Sequence, residues 1–138
     1  MNPMEVFTGQ ALEQYGSIAS KEFHRRLHED RKLYATRCRD CSETAFPPRL
    51  HCPKCISDAI DWLEITSAME AKLYAFTTQS RGLRFTAPEV IGVVEIPDVG
   101  LIISPVAGTM SDLEIGQPLQ PEVIDIHDGL SFYRFVPA

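Results

Sequence analysis

Every cysteine of this 138-residue chain falls in one stretch, CRDCSETAFPPRLHCPKC, between positions 38 and 55. Cys38 and Cys41 are separated by two residues, as are Cys52 and Cys55, with ten residues between the pairs. A C-x2-C turn aims two thiolates at one point while its backbone N–H groups soften their charge. Two such turns facing each other complete a tetrahedron around a metal ion. Two disulfides are the competing use of four cysteines, but they belong to secreted scaffolds too small to fold without staples. The metal reading is the stronger, and zinc with four sulfur ligands is its usual form. An iron site of rubredoxin type has the same geometry. With four protein ligands no position is left for water or substrate, so one structural Zn2+ per chain is expected to support folding and not catalysis. His51 adjoins Cys52, but the ligand count is already complete and a loop histidine is the expectation there.

The spacer SETAFPPRLH supports a ribbon. Pro47 and Pro48 fix φ and remove two donors, so the chain cannot be helical there. Arg49 follows them directly, as a contact for an anion or a partner or as an ordinary surface guanidinium. Upstream, SKEFHRRLHEDRKL predicts a helix over residues 20–33, with Ser20 as cap and Phe23 and Leu27 on one face. His24 and His28 stand four apart and could chelate a metal. No third ligand accompanies them, and Arg25, Arg26, Glu29 and Asp30 around them read as a solvated face. The first fifteen residues lack periodicity and read as a tail, or as a segment ordered by a partner.

Downstream the pattern changes to short runs rich in Val, Ile, Thr, Phe and Tyr, at 72–80, 89–97, 101–107, 119–127 and 130–136. Pro97 to Gly100 and Asp128-Gly129 are turn signals that close hairpins. Five strands in so short a span predict a small closed or partly open antiparallel barrel, for which the five-stranded OB fold is the candidate. The chain as a whole is therefore expected to be mainly β. Residues 1–36 form an N-terminal helical segment, 37–60 a rubredoxin-like zinc ribbon, and 61–138 an OB-fold domain, with the boundary near Asp61 and Trp62.

Charge limits the partners. Residues 61–138 carry four Lys/Arg against eleven Asp/Glu, within a chain of net charge −6. Such a surface repels phosphate backbones and predicts no nucleic-acid partner, although ribbons and OB barrels both serve that use elsewhere and Phe76, Phe85 and Tyr133 could stack on bases. No apolar run is long enough to span a bilayer and no secretory leader pattern opens the chain, so a cytoplasmic protein without membrane contact is expected.

Little remains for catalysis. If metal takes all four cysteines no thiol is free as a nucleophile, and the chain has no G-x-S-x-G, P-loop or G-x-G-x-x-G motif. Asp125, His127 and Asp128 cluster, but beside a turn they read as a polar rim. Arg81 and Arg84, in the loop SRGLRFTAP, are placed to meet a phosphate or an acidic partner edge, or to be solvated.

The order of helix, C-x2-C, FPPR at 46–49, C-x2-C, Trp62, YAFTT at 74–78, VVEIPDVGLIISPV at 93–106, PEVIDI at 121–126 and a terminal YRFVPA resembles the zinc-ribbon plus OB-fold proteins associated with thiolases and other acyl-CoA enzymes. The resemblance covers the chain from about Phe23 onward. It departs at Ser42, where the family usually has glycine, and at Ala68 to Ala71, where the family has a glycine-containing turn. What it implies is a noncatalytic accessory subunit. Its partner is a thiolase-fold catalytic subunit, bound in an α2β2 heterotetramer, which holds most of the CoA thioester and supplies the catalytic residues. Arg49, Arg81 and Arg84 are the candidate contacts to CoA or partner. A stand-alone acyl-CoA-binding protein is the alternative, with the same arginines on the CoA phosphates.

Overall fold

The computed structural model describes residues 17–79, 89–127 and 130–138. The first sixteen residues, the loop holding Arg81 and Arg84, the Asp128-Gly129 turn and the His127 side chain lie outside the described residues. The chain divides into two compact units, Met1–Ile65 with Val123–Phe132, and Thr66–Glu122 with Tyr133–Ala138.

Among the described residues the first unit opens on a helix. In α1 (Ile18–Arg25) the cap is Ser17, whose hydroxyl accepts the Ser20 N–H at 3.1 Å. The expected cap, Ser20, is therefore inside the helix, because an upstream serine already claims its amide. One wider turn, Arg26–Asp30, continues the helix, and Arg31 ends it in the left-handed conformation at φ 57°. This stops the helix before the expected position 33, since Leu33 already opens a strand. Phe23 and Leu27 form the buried stripe, as their spacing predicts. Beside that stripe Glu22 bonds both Arg25 and Arg26; the Arg25 guanidinium foremost holds its carboxyl down at about 2.

Three strands follow: β1 (Leu33–Cys38), β2 (Thr44–Ala45) and β3 (Ile60–Ile65), in the order β2-β1-β3 and all antiparallel. Pairing runs from Leu33↔Ile65 to Cys38↔Ile60, so β3 passes through Asp61 and Trp62 as a strand of the ribbon's own sheet. Leu33, Ala35 and Ile65 share one buried face, as period-two alternation requires. On the other face Arg26 lies 4.6 Å from the ring centroids of both Tyr34 and Trp62, which meet edge to face. A guanidinium so placed is held by the negative faces of both rings.

The other sheet has five strands, β4 (Lys72–Gln79), β5 (Glu89–Ile96), β6 (Gly100–Val106), β7 (Leu119–His127) and β8 (Leu130–Pro137), in the order β4-β5-β6-β8-β7. The five predicted strands recur within a residue or so. Hairpin β5–β6 closes at Ile96↔Gly100, with Asp98 at φ 69° and Gly100 at φ 114°, where the turn signal placed it. The sheet is mixed and not purely antiparallel, because β8 pairs parallel to β6 at Val106↔Phe135. Backbone bonds from Leu73 N–H to Gln117 O, Leu119 N–H to Ala71 O and Gly116 N–H to Leu73 O join β4 to the approach and start of β7. That link between first and last strands completes the OB-like order. Leu73, Val94, Ile96, Ile102, Val106, Leu119 and Phe135 fill the interior. Tyr133 enters with them and donates its hydroxyl to Ile103 O at 3.0 Å, burial pushing that phenol up to about 12.

Candidate metal centre

The two C-x2-C turns are built alike. In the first, Ser42 N–H donates to Cys38 O at 2.9 Å and Cys38 N–H to Glu43 O at 2.9 Å. In the second, Ile56 N–H donates to Cys52 O at 3.0 Å and Cys52 N–H to Ser57 O at 2.9 Å. The residue after the second cysteine is left-handed in both, with Ser42 and Ile56 each at φ 66°. The conformation that glycine adopts freely is thus forced on a serine and a β-branched residue. β1 delivers Cys38 beside Ile60 of β3, while Ser57 Oγ bonds the Asp40 carboxylate and ties one turn to the other.

This construction gathers all four Sγ atoms within 4.8 Å of one another, with Cys38 to Cys55 at 3.6 Å and Cys41 to Cys52 at 3.4 Å. Four sulfurs at Zn–S distances of about 2.3 Å would stand about 3.8 Å apart, so the set fits a tetrahedral ion with small adjustments. No disulfide joins the four. Cys38 and Cys52 are buried and Cys55 reaches the surface.

Electrostatics point the same way. Burial pushes the Cys52 thiol up, but the N–H groups of Cys55 and Lys54, at 3.4 and 3.3 Å from its sulfur, help pull it down to about 7. At Cys41 a backbone bond at Glu43 favours the thiolate, yet the Cys52 sulfur and burial together drive it up to about 12. Cys55 is likewise raised, the backbone bond at Ser57 being outweighed by burial and by Cys38. Adjacent thiolates resist ionising together unless a cation joins them. The donor set therefore fits a divalent ion, with zinc or iron meeting the four-sulfur geometry equally.

Among the described residues these cysteines are the one group of three or more His, Cys, Asp or Glu able to hold a metal ion. His24 packs edge to face on Phe23, and His28 Nδ1 lies 2.9 Å from Ser131 Oγ. Ser131 in turn donates to Asp125, whose carboxylate also takes two bonds from Arg31. The Arg31 guanidinium first, then Ser131, holds the Asp125 carboxyl below its usual range. The sequence did not couple these positions, since nearly a hundred residues separate Arg31 from Asp125. Of the three candidate arginines only Arg49 is among the described residues. It is exposed, and its backbone N–H bonds Thr36 Oγ1 at 3.0 Å, which anchors the spacer to β1. No described helix is long and apolar enough to cross a membrane.

Residues 29–61 match the family model of the ChsH2 rubredoxin-like zinc ribbon domain. A structure described as an "Ltp2-ChsH2(DUF35) aldolase" superposes with a TM-score of 0.70 at 24% identity, over 84% of this chain and 92% of that one. A DUF35-family protein of unknown function from Sulfolobus solfataricus superposes at 0.59 and 20% identity, over 98% of this chain and 96% of its own. The chain thus carries a zinc ribbon of the ChsH2 kind on the zinc-ribbon and OB-like fold of the DUF35 proteins.

Proposed function

We propose that this chain is a noncatalytic accessory subunit that binds a thiolase-fold acyl-CoA enzyme, stabilises it and shapes the access of its acyl-CoA. The observation that carries the reading is the fold it shares with a chain of an aldolase named for two components, Ltp2 and ChsH2. The gathered sulfurs agree with it. A four-sulfur zinc site is coordinatively closed, so the cysteines serve the fold and the reacting cysteine and histidine belong to the partner. The assembly is an α2β2 heterotetramer in the cytoplasm, with one structural zinc in each small chain and the CoA thioester held mainly by the large one. Its substrates are aromatic or related acyl-CoA compounds, in line with the resemblance of the whole-chain organisation to the small subunit of benzoylsuccinyl-CoA thiolase.

Co-expression with a thiolase-fold chain from a neighbouring reading frame, followed by size-exclusion chromatography and a thiolysis assay, tests this. The two chains should elute together, and activity should require both. Separate elution with unchanged activity refutes the accessory role. Tight CoA binding by the small chain alone would favour a stand-alone acyl-CoA-binding protein.

A further inference from the structure

The second C-x2-C turn carries a feature that its own fold does not need. Ile56 holds φ 66° and is 77% exposed. A β-branched side chain is disfavoured in the left-handed region, and here no burial offsets it. The matching position of the first turn, under the same hydrogen bonds, is the polar Ser42. Metal binding therefore does not require an apolar side chain at this place. Local strain that the fold does not use points to a role outside the chain.

The surroundings give the chemistry of that role. From Thr44 to Ser57 there is no acidic residue, in a chain whose net charge is −6, although Asp58 follows and Asp40 accepts the Ser57 hydroxyl. Arg49, His51 and Lys54 are all exposed. None of these three side chains has an ion-pair partner among the described residues, whereas Arg25, Arg26, Arg31, Arg39 and Arg134 each meet a carboxylate. The turn is tight, since Cys52 bonds both Ile56 and Ser57, so His51, Lys54 and Ile56 sit on one small lobe. An apolar anchor flanked by unmatched cations fits an apolar pocket with a carboxylate rim. A phosphate-bearing ligand would use the cations but leave Ile56 without a contact of its own kind.

We infer that this lobe is a docking element, with Ile56 seated in an apolar, acid-rimmed pocket of the catalytic partner and Arg49 and Lys54 facing its carboxylates. The inference rests on the accessory-subunit reading and names the part of the chain that does the binding.

The test compares wild type, Ile56→Gly, Ile56→Asn and Lys54→Glu in zinc-loaded form, by thermal unfolding of the small chain alone and by titration calorimetry against the thiolase-fold chain. Ile56→Gly and Ile56→Asn should unfold a few degrees higher than wild type and bind the partner about tenfold more weakly or worse. Lys54→Glu should weaken binding with no gain in stability, and wild-type affinity should fall as salt rises. Wild-type affinity retained in both Ile56 variants overturns the docking lobe while leaving the accessory role intact. Absence of wild-type binding removes both. CoA binding by the small chain that Lys54→Glu abolishes would assign the lobe to a nucleotide phosphate and overturn the protein pocket.

Discussion

Ser42 stands where the family that the sequence resembles was expected to have glycine, and the backbone is of the kind that suits glycine. At φ 66° a serine bears a left-handed penalty of about 1 kcal/mol that glycine avoids, partly offset by glycine's greater freedom when unfolded. Ser42→Gly should raise stability by less than about 1 kcal/mol, read as a small upward shift of the denaturant midpoint with zinc content unchanged. Cys38→Ser should lower bound metal from one ion per chain to none and unfold β1–β3, as seen by metal analysis and amide exchange, because the buried Cys38 sulfur shares the site with three others. The gathering of the four cysteines was legible in the sequence because their spacing alone encodes the geometry. The strain at Ile56 was not, because a single Ile after a cysteine looks like any surface residue until its φ is known. Arg81 and Arg84 remain sequence-based candidates, lying outside the described residues.

Elements were legible where local chemistry decides them. The barrel strands announced themselves through β-branched and aromatic runs, and Pro97 to Gly100 through turn chemistry. The helix start slipped to Ser17 because two serines three apart both satisfy the cap pattern. The parallel β6–β8 pair was not legible, since Val106 and Phe135 meet only through the path of the whole sheet. Within that sheet Gly92 is inward, and a Cβ there would stand 2.6 Å from Val106 Cγ2 and 3.2 Å from Leu73 Cδ1. Val106 and Leu73 are themselves buried and cannot swing away, so Gly92→Ala should destabilise by about 1–3 kcal/mol in equilibrium unfolding. At the far end of β7 the sign for acid follows from Asp125. Its carboxyl is depressed when folded, so its stabilising contribution is complete above the ordinary carboxylate range and is lost as pH falls through its lowered folded value. Asp125→Asn should remove that part of the acid sensitivity, giving a flatter stability profile below about pH 4, the ordinary carboxylate value.

At the scale of the molecule, the chain combines a ribbon organised around four sulfurs with an OB-like sheet whose interior is filled by Leu73, Val94 and Phe135. An accessory role was the expectation drawn from the family resemblance, together with the premise that one metal takes all four cysteines, whose sulfurs the structure gathers at one point. The most direct test of that premise is a thiol titration of the native chain with a chromogenic disulfide, read beside its metal content. The account predicts one zinc per chain and no thiol reacting until denaturant and chelator are added, when all four appear together. A cysteine that reacts in the folded, zinc-loaded protein would contradict it.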